Sequence, residues 1–242
     1  MPADLGSQGP FPRACQEAGS LHRRENIMLF YADCANIELL HRMEALGILS
    51  GITTNPAILA GEPAPSAEVI AGICRAFPGF PVFAQTNAET CSGIVKDAAA
   101  CAAISPQVVV KIPACADGLR ALRTIRMERL FDNEICITTV MTAAQATLAS
   151  AAGAGYVAPY IGDIGQIGYN GMDMLRTIVA ALKGTHTRVL AAAVERAQDL
   201  AAAAVIGADI ATITPDAAFA ALEKPYPITE WYLKLFREAA GR

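Results

Sequence analysis

At 242 residues, 53% hydrophobic and only 6% aromatic, the chain is long enough for one large domain with a core of small and aliphatic side chains. A net charge of −4, 17% charged residues and no dense cluster of Lys and Arg exclude a nucleic-acid footprint, and no apolar run approaches the ~18 residues of a membrane span. Three histidines (His22, His41, His186) without metal-pair spacing argue against a zinc site; seven cysteines, an odd number without a CxxC, fit buried thiols in a reducing, cytoplasmic setting.

Residues 1–26 are rich in Gly, Pro and polar residues, lack periodicity and lack the apolar centre of a signal peptide. They read as a flexible tail, with the domain covering 27–242 and Met28 a second candidate start. From there the chain alternates. "IMLFYAD" (27–33) is strand-like, and 37–46 has helical spacing. "GITTN" (51–55) is a short strand, followed by a helix over 66–77. "PVFAQT" (81–86) precedes a helix over 89–104, and "VVVKIP" (108–113) one over 117–130. On the latter, Arg120, Arg123, Arg126 and Arg129 recur every third residue and read as a solvated face. Strands over 134–140, 155–161, 187–193 and 209–214 alternate with helices over 142–152, 171–183, 195–206 and 215–222, and a last helix spans 228–239. Strands alternating with helices imply parallel pairing. Eight such units in one domain imply a closed (β/α)8 barrel with an additional C-terminal helix. A doubly wound sheet is the runner-up. It is disfavoured because "ADCAN" follows the first strand where a Gly-rich turn would be needed.

In such a barrel, chemistry sits at the carboxyl ends of the strands. Asp33, Thr53, Asn55, Gln85, Lys111, Thr138 and Tyr160 all fall there, while strand seven ends in Ala191, Ala192 and Ala193 and offers only space. Singly, each has a structural explanation: Asp33 as a helix cap, Asn55-Pro56 as a turn, Tyr160 as a core aromatic. Lys111 is harder to dismiss, because a strand buried on both faces leaves its ammonium without water. Desolvation lowers the pKa of such an amine and frees it as a nucleophile. A neutral amine converts a ketone into an imine, an electron sink that lets a neighbouring C–C bond break or form with neither metal nor cofactor. The proton shuttle would be Asp33 with a water held by Gln85, Thr138 and Tyr160, and Thr53 and Asn55 would hold substrate hydroxyls. Lys111 is therefore a candidate Schiff-base lysine.

"YADCAN", "GITTNPAIL", "VFAQT", "VVVKIPA", "TTVMTAAQA" and "YVAPYI" together resemble the transaldolase family, especially its short fructose 6-phosphate aldolase branch, over residues 28–240. The resemblance implies a Schiff base on Lys111, Asp33 as the proton-transfer carboxylate, and Thr53 and Asn55 against a bound dihydroxyacetone unit. It implies a small-molecule sugar or sugar phosphate as substrate, with neither nucleic acid nor membrane as partner. It also implies a homo-oligomer, a pentamer or decamer, with the C-terminal helix reaching a neighbour. Transaldolases tend to carry Glu and Phe where this chain has Gln85 and Tyr160; the aldolase branch carries Gln and Tyr. The phosphate half departs from the family: Asp163 stands where an arginine is usual, and Ala193, Val194 and Glu195 replace Ser, Phe and a basic residue. Arg196, one step along, is the candidate compensation. An aldolase, a transaldolase of a specialised pathway with an unusual acceptor, a non-catalytic sugar-binding paralogue and another imine-forming lyase on the same barrel are the readings left open.

Overall fold

In the computed structural model, the described residues are 27–194, 196–222 and 226–241. The expected tail, 1–26, and Glu195 lie outside them. Eight parallel strands, β1 (Leu29–Asp33), β2 (Leu49–Thr53), β3 (Val82–Gln85), β4 (Val108–Pro113), β5 (Ile135–Val140), β6 (Tyr156–Pro159), β7 (Arg188–Val194) and β8 (Ile210–Ile213), pair in chain order. β8 returns to pair with β1, so the sheet is a closed barrel rather than an open one. Around it run α1 (Ile37–Ala45), α2 (Pro56–Leu59), α3 (Ser66–Ala76), α4 (Cys91–Ala102), α5 (Ala116–Glu128), α6 (Ala143–Ala151), α7 (Ile161–Gln166), α8 (Gly171–Leu182), α9 (Ala197–Ile206) and α10 (Pro215–Leu222), and α11 (Pro227–Ala240) follows. Among the described residues, no helix is long and apolar enough to cross a membrane.

The strands form because both of their faces are covered, which is why they read as continuous apolar runs. In β4, Val108, Val110 and Ile112 belong to the cluster shared with the helices, while Val109 belongs to a separate cluster inside the barrel. That inner cluster also holds Tyr31, Phe83, Cys136, Leu190 and Ile210. The rings of Tyr31 and Phe83 meet edge-on at 5.7 Å, and those of Phe83 and Tyr156 at 5.3 Å, each pair worth about 1 kcal/mol beyond its buried area. Tyr31 lies across β2 at Gly51, where a Cβ would stand 2.7 Å from its ring. The lumen is therefore a packed plug.

Side chains alternate along a strand, so the residue two beyond each plug residue also faces the lumen, one layer nearer the carboxyl ends. Two beyond Tyr31 is Asp33; two beyond Phe83, Gln85; two beyond Val109, Lys111; two beyond Cys136, Thr138; two beyond Ile210, Thr212. An apolar floor with a polar layer upon it follows from strand periodicity alone.

Departures from the expected elements are local. The short helices α2 and α7 are too brief to show a helical period, and β2 runs from Leu49 to Thr53, two residues earlier at each end than the expected 51–55. β6 ends at Pro159, so Tyr160 joins β7 only through a single bridge to Ala192 and leads into α7. Besides a register shift at Phe30/Tyr31, two bulges interrupt the pairing toward the carboxyl ends, at Ile137/Val140 and Ala191/Val194. Each holds a non-glycine residue in the left-handed region, Thr139 and Ala193, both with φ of 56°. Such residues cost about 1–3 kcal/mol each and cluster at functional rims. The cysteines of the described region are free: Cys34, Cys74 and Cys136 are buried, as expected, but Cys115 is exposed and caps α5 by accepting from Gly118 N–H.

Candidate active site

At the carboxyl ends of the strands lies a pocket of about 180 Å³. An apolar cavity of ~150 Å³ holds benzene, six heavy atoms. Dihydroxyacetone also has six, so a three-carbon ketol fits, and a longer substrate must extend through the mouth.

Lys111 lines this pocket yet is only 5% exposed, and its Nζ donates to the Thr54 carbonyl at 3.0 Å. Burial holds the amine below its ordinary pKa, and the opposing pulls of Cys136 and Asp33 are weaker. The Cys136 thiol, in register beside it on β5, is pushed up to about 12 by burial and stays neutral. The charge that Lys111 meets is therefore that of Asp33.

Asp33 also lines the pocket. Burial raises its pKa, while the hydrogen bond from Thr53 and the charge of Lys111 pull it down. The Thr53 hydroxyl donates to Asp33 Oδ1 at 2.6 Å and lies 2.6 Å from Thr212 Oγ1. Thr53 has one proton and gives it to the carboxylate, so Thr212 must donate to Thr53. This leaves Thr53 one lone pair for a substrate hydroxyl. Asn55 is similarly committed: its Oδ1 accepts from Ile58 N–H at 2.9 Å and caps α2, leaving its NH₂ to face the pocket that it lines. Asp33 does not cap α1; Asn36 does.

The other three residues predicted for the site differ in placement. Tyr160 lines the pocket, its pKa raised by burial, and its hydroxyl accepts from Thr138 at 3.3 Å. Its own proton is thus free to point into the pocket. Thr138 is fully buried behind it and is not part of the pocket wall. Gln85, paired in register with Lys111, is not part of the wall either, and its buried Oε1 has no hydrogen-bond partner among the described residues. A buried acceptor of this kind calls for a donor.

Two hydroxyls of the wall were not expected from the sequence, those of Thr212 and Thr214 of "DIATIT". The signal was present, since alternate threonines put hydroxyls on one face. It was masked because threonine is an ordinary strand residue. Arg196 is not part of the wall: its Nε and Nη2 each lie 2.9 Å from the carboxylate of Asp199.

A closed (β/α)8 barrel that gathers a buried amine and a carboxyl in one pocket at the carboxyl ends of its strands defines the class: a barrel with the architecture that enzymes of this fold use. The sequence pattern of the family Transaldolase/Fructose-6-phosphate aldolase matches residues 30–238. A "Probable transaldolase" of Caulobacter vibrioides is 37% identical over 211 residues, 86% of this chain and 94% of the relative. A "Probable transaldolase 1" of Bacillus anthracis is 38% identical over 211 residues, 86% and 95% of the two chains. A solved Burkholderia cenocepacia structure, assigned by its description to the phosphonomutases, superposes with a TM-score of 0.57 at 17% identity over 81% of this chain and 90% of that one; it shares the barrel alone. The chain belongs to the transaldolase/fructose-6-phosphate aldolase family and is an enzyme of the transaldolase type.

The amine sets a pH-dependent stability. Between its lowered folded pKa and the ordinary 10.5, the unfolded chain carries one proton more than the folded one, so stability rises with pH across that window. Lys111→Met removes this dependence at similar volume. Chemical denaturation should show the variant gaining on wild type near neutral pH, with the margin shrinking as pH approaches 10.5. A margin that is constant or grows with pH would contradict the buried, proton-shedding amine.

Proposed function

We propose that this enzyme is a Schiff-base (class I) aldolase or transaldolase that cleaves, forms or transfers the dihydroxyacetone unit of a ketose, with Lys111 as its nucleophile. The observation that carries the reading is the buried Lys111 amine, its pKa lowered, beside Asp33 in a pocket sized for three carbons. The neutral Nζ attacks the substrate carbonyl, the carbinolamine loses water, and a protonated imine forms. The bond one carbon further on then breaks, its electrons flow to the imine nitrogen, and an enamine remains. Asp33 accepts the proton of the hydroxyl on the departing carbon, which leaves as an aldehyde. No metal enters these steps, because the imine is itself the electron sink.

The enamine has two fates. Protonation at carbon and hydrolysis release free dihydroxyacetone; attack on a second aldehyde transfers the unit. A water held by Gln85, Thr138 and Tyr160 favours release. The unpartnered Gln85 Oε1 and the free proton of Tyr160 support that role. The names of the relatives favour transfer, and this is the second reading. A reducing, cytoplasmic compartment accords with the free cysteines, and cell fractionation tests it.

Oligomerisation is part of the same proposal. Every described residue of α11 is exposed, including Ile228, Trp231, Tyr232, Leu235 and Phe236, whose spacings of three and four build an apolar stripe. We propose that this stripe packs on a neighbouring copy in a pentamer or decamer.

Three outcomes are expected. Borohydride with dihydroxyacetone or a ketose phosphate should leave one adduct, on Lys111 by peptide mass. Lys111→Met should abolish it, and Asp33→Asn should retain it with kcat lowered about 10²- to 10⁴-fold; a label elsewhere, or none with every donor, sinks the mechanism. Gln85→Glu and Tyr160→Phe should each shift products from free dihydroxyacetone toward transferred ketose, and an unmoved ratio would remove the water-holding role. Trp231→Glu combined with Phe236→Glu should reduce the particle to a monomer by light scattering. A wild-type monomer, or an unchanged assembly in the variant, contradicts the α11 interface.

A further inference from the structure

The pocket wall is asymmetric in charge. Among the described residues that line it, the one cation is Lys111, and the carboxyls are Asp33 and Asp163. Asp33 is engaged by Thr53. Asp163 is half-buried in the first turn of α7, and among the described residues its carboxylate has neither a hydrogen bond nor an ion pair. The local fold holds it there: α7 seats on the bulge of β7, so closely that a Cβ at Gly162 would stand 2.6 Å from the Ala193 carbonyl. The neighbouring wall is Ala192, Ala193 and Val194, whose side chains offer no donor.

The helices that follow β6, β7 and β8 would otherwise offer positive ends to an anion. Each carries an aspartate in its first turn: Asp163 in α7, Asp199 in α9, Asp216 in α10. A carboxylate there already satisfies the helix dipole. Arg196, the cation nearest in sequence to this rim, is held by Asp199. A phosphate entering here would face Asp163 across a wall whose donors other than Lys111 are neutral, the Tyr160, Thr212 and Thr214 hydroxyls and the Asn55 amide, and like charges brought together across a binding surface suppress binding. A carboxylate accepts hydrogen bonds and cannot give them.

We infer that the part of the substrate beyond the three-carbon unit is unphosphorylated and carries hydrogen-bond donors, hydroxyls or an ammonium, which Asp163 receives. The inference rests on the Schiff-base reading above and names the substrate class for the same pocket. Asp163 thus acts as a specificity residue at the far end, remote from the bond that breaks.

The test uses three matched acceptors with dihydroxyacetone as donor: glyceraldehyde, its terminal phosphate ester and its terminal amine analogue. In wild type, kcat/KM for glyceraldehyde should exceed that for the phosphate ester by about tenfold or more, equivalent to about 1.4 kcal/mol. Asp163→Asn should narrow the gap and Asp163→Arg should reverse it. Equal or better use of the phosphate ester by wild type overturns the inference. The amine arm separates the two donor types. An amine advantage that Asp163→Asn erases assigns charge pairing, and an alcohol used as well as the amine assigns hydroxyl binding; both keep Asp163 as the receptor. Borohydride trapping of dihydroxyacetone on wild type reads the Schiff base by itself. An adduct together with a phosphate preference overturns this inference alone, whereas no adduct overturns the reading beneath it.

Discussion

Removing an ammonium from water costs several kcal/mol unless a charge partner and hydrogen bonds replace the solvent. Lys111 stands where that cost falls almost in full, 5% exposed, with one carbonyl as its hydrogen-bond partner and a carboxyl whose own pKa burial has raised. Burial pushes both groups toward their neutral forms, and the attraction between them opposes it. The amine sheds its proton more readily than a free lysine does, and the carboxyl holds its proton more readily than a free aspartate does. Around them the barrel supplies the neutral hydrogen-bonding groups of Thr53, Thr212, Thr138 and Tyr160, with Asp163 the other carboxyl of the wall. Every part of the site depends on the lysine being there without water.

The fold makes that placement inevitable once the strands close. An aromatic and aliphatic plug sets the floor, and two residues further along each strand the side chains point into the same lumen one layer higher. The plug excludes water from below, and the polar layer inherits a low dielectric, in which proton affinities shift and hydrogen bonds strengthen. The bulges of β5 and β7 turn the rim away from regular pairing, and the β7 bulge seats α7 with its aspartate. On the proposed mechanism, reactivity is set by the regular part of the barrel, and selectivity by its irregular edge.

Most of the barrel could be read from the sequence, because eight apolar runs alternating with helical periods leave few topologies. Lys111 was legible for the same reason: one charge in "VVVKIP" has no bland explanation. Thr212 was not, since a hydroxyl in a β-branched strand looks like propensity, and only the three-dimensional register brings it 2.6 Å from Thr53. Thr53 and Asn55 were expected at the strand ends and line the pocket, but local sequence could not show that Thr53 gives its proton to Asp33 or that the Asn55 side-chain oxygen caps α2. Helix α7 escaped because "IGDIGQ" has no apolar period, and it is tertiary contact with the β7 bulge that makes it fold.

The most direct test of this account is the titration of the Lys111 Nζ itself in the ligand-free enzyme, followed by NMR of the labelled amine and assigned by its loss in Lys111→Met. The expected midpoint lies clearly below the ordinary 10.5 and moves lower still in Asp33→Asn, where the charge favouring the ammonium is gone. A midpoint at or above 10.5 would mean that the amine keeps its proton despite its burial, and the reading of Lys111 as the nucleophile would be contradicted.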